Sequence, residues 1–338
     1  MKEELRTNQT AKKISITLIL AFAAIYIFWG STYLAIKYAI ETLPPFLMAG
    51  TRFVAAGVIL LIVARFSRDY ETPRFVHWKT SFIVGTLLLL FGNGGVVFAE
   101  RYLSSSLAAL LVATEPCWIV LLGWLWLKKS RPNLKVVAGL ILGFVGVGLL
   151  VGGQAAVSSS ADSSMQILAT LAIVGATLGW ATGSLYGLRA PVPKSAILTA
   201  GMQMTSGGAV LFVVSLLSGE MSGFSFAQVS KESFFGLLYL IVFGSLVAFT
   251  AYSWLLKNAQ PAIVATYAYV NPVIAVLLGW LIAGESFTMQ MLVGAGIIVG
   301  SVVLITSQEK SEKKVKEKNE IHESNTPTGN RKTLSASA

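Results

Sequence analysis

The stretch ATEPCWIVLLGWLW, residues 113–126, returns in altered form as YVNPVIAVLLGWLI, residues 269–282. Leu121-Leu122-Gly123-Trp124 recurs as Leu277-Leu278-Gly279-Trp280, and Pro116 recurs as Pro272, each 156 residues later. Glu115 precedes the first proline and Asn271 the second. Proline removes a backbone donor and disturbs the turn before it, so a proline in an apolar helix is a shaping device. The chain writes the same shaped, apolar element twice and changes the polar residue beside the proline.

Other pairs extend the match. Trp29 aligns with Trp180, Gly50 with Gly201 and Gly57 with Gly208 at an offset of 151. Phe91-Gly92 aligns with Phe243-Gly244 at 152, and Gly139 with Gly294 at 155. The offset drifts slowly and in order, as differences in loop length make it drift. The organisation expected is a basic N-terminal tail (1–14), a first repeat (15–152), a linker (153–166), a second repeat (167–307) and a charged C-terminal tail (308–338).

Composition names the solvent. Of 338 residues, 54% are hydrophobic and 12% charged, against about 25% charged in soluble domains. Mean hydropathy is +0.70. A water-soluble core cannot hide that much apolar surface, so the lipid bilayer is the expected partner. Ten segments reach the roughly 20 apolar residues that a spanning helix needs: 15–37, 46–65, 79–99, 104–127, 134–152, 167–188, 195–218, 232–256, 261–283 and 288–307. The first is too long for the apolar core of a signal peptide and reads as a retained span.

The net charge of +10 does not point to nucleic acid. Counting along the ten spans, 22 Lys and Arg fall on the side of the two termini and three, Lys37, Arg101 and Lys231, on the other. That asymmetry predicts both termini in the cytoplasm. The tail beyond Ser307 interleaves Lys with Glu and has no aromatic platform for bases, so it reads as disordered and solvated. Five spans per repeat is an odd number, so the second copy must enter the membrane inverted. The fold expected is all-α and integral to the membrane: ten transmembrane helices as an inverted 5+5 repeat, N-in and C-in. Such repeats characterise secondary transporters, whose site lies at mid-membrane between the halves.

The runs FWGSTYLAIKYAI (28–40), PPFLMAGTRFVAAG (44–57) and YAYVNPVIAVLLGWLIAGES (267–286), with the doubled proline helix, resemble the drug/metabolite transporter superfamily, EamA type. The resemblance covers about residues 16–307 and implies a ten-helix transporter exporting amino acids or related small metabolites from a bacterial cell. The family often ends this helix in Gly-Glu. The second half keeps Gly284-Glu285, whereas the first has Lys128-Lys129.

Ionisable and polar groups within spans are costly and need a reason. Glu115 lies near the middle of the fourth span, where a cavity-facing carboxyl could hold a cation, an ammonium group or a proton. Trp118, three residues on, is expected on the same face. Asn271, with Tyr267 one turn earlier, is the neutral counterpart. Arg52 either snorkels outward, pairs with Glu115 or holds a substrate carboxylate; its repeat partner is Gln203. Trp29 and Tyr33 in span one, with Thr32, and Trp180 and Ser184 in span six are expected to line the cavity. Asn93 in FGNGG either bonds across helices or loosens its own. Tyr252 and Tyr269 are weaker candidates. Glycines 139, 143, 146, 148, 294, 296 and 300 read as packing positions.

No metal, cofactor or ATP site is expected: the two histidines, His77 and His322, lie in a loop and a tail, and no phosphate-binding Gly-x-x-x-x-Gly-Lys-Ser/Thr run appears. The lone Cys117 permits no internal disulfide. The reading is a multi-pass exporter of a small metabolite or drug-like amine, working by alternating access and driven by a substrate or proton gradient. An uncoupled facilitator or a flippase for a lipid-linked substrate would use the same fold. An intramembrane enzyme is disfavoured, since only Glu115 and Arg52 offer acid–base chemistry. A scaffold or sensor would not need the repeat. One chain holds both halves, so a monomer suffices and a homodimer is equally compatible.

Overall fold

The computed structural model describes residues 2–126, 134–155, 160–259, 264, 266–285, 288–301 and 303–304. Outside them lie Lys128-Lys129 and residues 308–338, the expected C-terminal tail. Among the described residues every regular element is helical.

In chain order the helical runs are α1 (Lys2–Ala39), α2 (Pro45–Arg65), α3 (Phe75–Ala99), α4 (Ser105–Leu125), α5 (Leu134–Ala155), α6 (Ser160–Gly187), α7 (Ala196–Leu217), α8 (Lys231–Asn258), α9 (Tyr267–Ala283) and α10 (Met289–Ser301). Seven of them, α1–α4 and α6–α8, are long and apolar enough to cross a membrane; apolar stretches of α5, α9 and α10 are shorter. The helix of α1 continues through residues 2–14, read from sequence as a tail, with no proline to stop it. Much of the expected linker 153–166 is likewise helical, as the end of α5 and the start of α6.

The repeat is visible in the packing. α2 and α7, equivalent elements of the two copies, lie against each other over most of their length. Their equivalent glycines make this possible. A Cβ on Gly57 would stand 2.6 Å from the backbone nitrogen of Thr205, and one on Gly208 would stand 2.8 Å from that of Val54. Close backbone approach through small residues is how helices adhere where lipid offers no hydrophobic driving force. Among the glycines predicted to pack, Gly143 and Gly146 do so against α10, whereas Gly148, Gly296 and Gly300 face open space. Large apolar residues such as Ile19, Ile62, Leu171, Leu217 and Leu281 remain exposed, as lipid-facing surface requires.

A second trace of the repeat is a pair of π-helical segments, Thr86–Gly94 within α3 and Leu240–Val247 within α8. They carry the matched Phe91-Gly92 and Phe243-Gly244. π-Helical turns inside α-helices concentrate at functional sites, and both of these border the central cavity.

Two carboxylates tie helix ends. Glu220 accepts from the Phe46 and Leu47 amides at the start of α2, each at 3.1 Å to Oε2. Glu285, following Gly284 at φ 61°, turns back to α4. Its Oε1 accepts from the Ser105 amide at 3.0 Å and hydroxyl at 2.7 Å, and from Lys37 Nζ at 3.0 Å. Its Oε2 accepts from the Ser106 amide at 3.1 Å and from the Ser106 hydroxyl in a very short contact. An anion there meets both the unpaired amides and the positive end of the helix dipole. Gly279, the glycine of the repeated Leu-Leu-Gly-Trp, makes room: a Cβ would lie 2.5 Å from Glu285 Oε2.

Candidate functional site

The two proline helices face inward. Glu115, Pro116, Asn271 and Pro272 are all buried. They behave differently, however. α4 breaks after Val112, and Pro116 occupies the first turn of the segment Glu115–Leu125. Proline there wastes no intrahelical bond. In α9, Pro272 lies inside an unbroken helix.

Between the halves lies a cavity of about 690 Å³, counting space open to its exterior. The first repeat contributes Trp29, Tyr33, Arg52, Asn93 and Glu115 to its wall, and the second contributes Trp180, Gly244, Tyr267 and Asn271. Tyr267 donates its hydroxyl proton to Glu115 Oε2 at 2.5 Å, a contact that spans the two repeats. The Asn271 amide, oriented with its nitrogen toward two carbonyls, donates to Tyr26 O at 3.1 Å and Tyr267 O at 3.3 Å. It thereby pins α9 to α1 while still bordering the cavity.

Arg52 is buried, with 3% of its surface exposed. It neither snorkels out nor reaches Glu115. Its Nε donates to Ser245 Oγ at 2.8 Å, and its guanidinium lies 4.6 Å from the Phe53 ring centroid. Nη1 has no partner. The π-helical turn at Gly244 makes this possible, because a Cβ there would stand 2.7 Å from Arg52 Nη2. The Gly244 carbonyl accepts from Trp29 Nε1 at 3.1 Å.

Trp29 is the hub of an aromatic cluster. Its ring centroid lies 5.7 Å from Trp180, 5.0 Å from Tyr252 and 5.2 Å from Tyr267. Tyr252 is buried and its hydroxyl lies 3.1 Å from Ser184 Oγ. On the far side of Tyr252 is a second space of about 730 Å³, bordered by Val84, Ser184, Gln203, Tyr252 and Lys257. Ser184 and Gln203, expected in the central cavity, belong to this second one. The expectation placed each near mid-membrane but could not know that an aromatic layer divides the space there. Lys257 Nζ, at the edge, donates to the Pro193 and Lys194 carbonyls at 2.8 Å each.

Trp118 also departs from expectation. It does not border the cavity; its ring stacks edge-on against Phe144 of α5, with centroids 5.4 Å apart. Two residues past the proline, the new helical segment has turned that side chain away from Glu115. Asn93 borders the cavity with Oδ1 unpartnered, so that oxygen makes no bond across helices. The side chain of Tyr269 lies outside the described residues.

Two acids beyond helix ends complete the region: Glu285, noted from sequence as the retained Gly-Glu, and Glu100, which the sequence reading passed over. Glu285 sits beyond α9 and is held well below its ordinary value, at about 2; burial pushes its pKa up, but the hydrogen bonds from Ser106, Ser105 and Lys37 outweigh that. Glu100, just beyond α3, is 6% exposed and neither carboxyl oxygen has a partner. Burial, and then the Glu285 carboxylate, push its pKa well above the usual carboxylate range, while Lys37 and Arg52 pull it the other way. The signal for Glu100 was its position at a span end, which reads as surface in one dimension.

Comparison with known proteins agrees with this architecture. The sequence profile of the EamA-like transporter family matches residues 15–152 and again 167–307. The chain is 36% identical over 287 residues to YedA of Escherichia coli K12, named an uncharacterized inner membrane transporter, covering 85% of this chain and 89% of that one. It is 27% identical to the transporter YvbV of Bacillus subtilis, covering 89% and 94%. Protein PecM of Dickeya dadantii is 26% identical, covering 82% and 88%. A solved crystal structure superposes with a TM-score of 0.59 at 20% identity, over 87% of this chain and 98% of its own, a likeness of fold.

Proposed function

The chain belongs to the EamA-like transporter family, and from that premise we propose that it is a secondary exporter of a small metabolite or drug-like amine, working by alternating access. In this reading ten helices cross the bacterial cytoplasmic membrane as an inverted 5+5 repeat with both ends inside. The matched α2–α7 glycines and the matched π-helical turns support it, since both place equivalent elements at the centre of one bundle. YedA and YvbV, both named as transporters, point the same way.

The observation that carries the reading is the Glu115–Tyr267 contact in the wall of the central cavity. A buried carboxyl in a bilayer is costly unless it serves a path for ions or substrate. Here it comes from one repeat and its hydrogen-bond donor from the other, so any relative motion of the repeats changes how Glu115 is solvated and bonded. Glu115 is the substrate- or proton-binding acid of the proposal. Arg52, Trp29, Tyr33, Trp180 and Asn271 complete the site. Tyr252 and its aromatic neighbours form the partition between the two cavities, which must part for a solute to pass. Pro116 and Pro272 shape the two helices that frame it.

Flux from proteoliposomes containing the full chain tests this, once a growth screen under overexpression, against toxic amino acids, amines and cationic dyes, has supplied a substrate. Flux that requires Glu115 supports the proposal. Flux undiminished in Glu115→Gln overturns the site, and dependence on an imposed pH gradient separates proton-coupled export from a facilitator. A substrate that enters only from the detergent or lipid phase indicates a flippase.

A further inference from the structure

Glu100 has no part in the function proposed above, and its surroundings are unusual. It is buried at the end of the bundle where Lys37, Glu285, Ser105 and Ser106 meet. Those groups satisfy one another. Glu285 takes the two serine amides, the two hydroxyls and a bond from the lysine, and none of these donors reaches Glu100, whose Oε1 and Oε2 are both unpartnered. An ionised carboxylate buried without a hydrogen-bond donor is heavily penalised, and the group neutralises instead. Val96, one turn earlier on α3, borders the central cavity, and so does Arg52, the second orphan of the region. Arg52 Nη1 and both Glu100 oxygens are unsatisfied, feel one another electrostatically, and do not touch.

The charged and titratable groups facing Glu100 are few. α2 offers Arg52, α1 offers Lys37 and Tyr33, and the turn after α9 offers Glu285. α6 packs along the end of α3 and has no charged side chain over residues 164–187. The neighbouring Arg101 is exposed and lies over Tyr102.

We propose that Glu100 is a proton-binding site of this protein, neutral in the conformation described and able to exchange its proton for a contact with Arg52. The exchange balances simply. The carboxyl O–H bond breaks, the proton leaves to water at that end of the bundle, and the resulting carboxylate accepts a hydrogen bond from Arg52 Nη1, which keeps its own proton. Arg52 then alternates between facing the cavity and facing Glu100, so occupancy of the cavity and protonation of Glu100 are linked.

The test does not depend on substrate, and so stands or falls apart from the transport reading. Infrared spectra of the full chain reconstituted in lipid report the C=O stretch of protonated carboxyls. The expected result is a protonated-carboxyl band at neutral pH that persists in Glu115→Gln and is lost when Glu100→Gln is added to that background. Absence of that band from both wild type and Glu115→Gln overturns the proposal, and needs no Glu100 variant to fold. In the same Glu115→Gln background Glu100→Asp, which keeps a carboxyl, should retain the band; a band that survives Glu100→Gln combined with Glu115→Gln also overturns the assignment. Removing a cation raises the pKa of a nearby acid, so Arg52→Gln should carry the band to higher pH. An unchanged titration in Arg52→Gln would overturn the exchange with Arg52.

Discussion

α4 and α9 begin from nearly the same sequence and end as different objects. Both bury a proline and both present the preceding residue to the central cavity. In α4 the helix breaks, so Glu115 stands in the first turn of a new segment, beside Pro116 and bonded to Tyr267 of the other repeat. In α9 the helix continues through Pro272, and neutral Asn271 donates to the Tyr26 carbonyl of α1, tying the two helices, and to the Tyr267 carbonyl of its own helix. The same scaffold thus supplies an acid on one side and a structural tie on the other. At the far ends the asymmetry reverses: α9 continues into Gly284-Glu285, which closes on α4.

The sharpest way to break this comparison is to equalise the residues before the prolines. If Glu115 carries the chemistry, Glu115→Gln should lower transport about a hundredfold, on the scale of roughly 2.7 kcal/mol, while Asn271→Ala should cost mainly stability. Equal losses of flux in both variants would mean the two helices are functionally alike. Next in size is Gly279→Ala. The added methyl would evict the Glu285 carboxylate from α4, and losing hydrogen bonds to a charged group costs about 1.5–3 kcal/mol. Exposed helix interiors normally gain about 1 kcal/mol from that change, so a fall in the Tm of the detergent-solubilised protein distinguishes the two. Tyr267→Phe removes one bond to Glu115 and should reduce flux about tenfold, corresponding to roughly 1.4 kcal/mol.

Acid titration gives a smaller effect. Glu285 is depressed from 4.5 to about 2 in the folded chain. Its stabilising contribution is therefore complete above the unfolded value and is lost as pH falls through the folded one. The difference in Tm between wild type and Glu285→Gln should be constant above about pH 5 and shrink steadily below it. Smallest is the proline pair itself. Pro116 sits where no intrahelical bond is lost, so Pro116→Ala should leave Tm nearly unchanged, whereas Pro272→Ala restores an amide within α9 and should shift it measurably. Equal shifts would mean that α4 is not broken where described.

Much was legible in one dimension because a bilayer imposes a strong pattern on sequence. Composition, the long apolar runs and the two offset copies pointed to an all-helical membrane protein, and the matched residues Gly50, Gly57, Gly201 and Gly208 do meet where equivalent helices touch. Glu115 and Tyr267 could be singled out because polar groups inside apolar runs are conspicuous. That they bond to each other was not readable, since they are 152 residues apart and belong to different repeats. Trp118, Ser184 and Gln203 were misplaced for the same reason: helical spacing gives a side chain's angle on its own helix but not what stands opposite.

The solvent, the helical secondary structure and the duplication follow from local hydropathy and periodicity, which are read along one dimension. The packing of helices settles that Arg52 bonds Ser245 rather than Glu115, that the aromatic cluster of Trp29 and Tyr252 stands between the two spaces, and that donors reach Glu285 but not Glu100. Hydrogen bonds are short and saturable, so which of several buried polar groups is satisfied depends on distances of a few tenths of an ångström between helices remote in sequence.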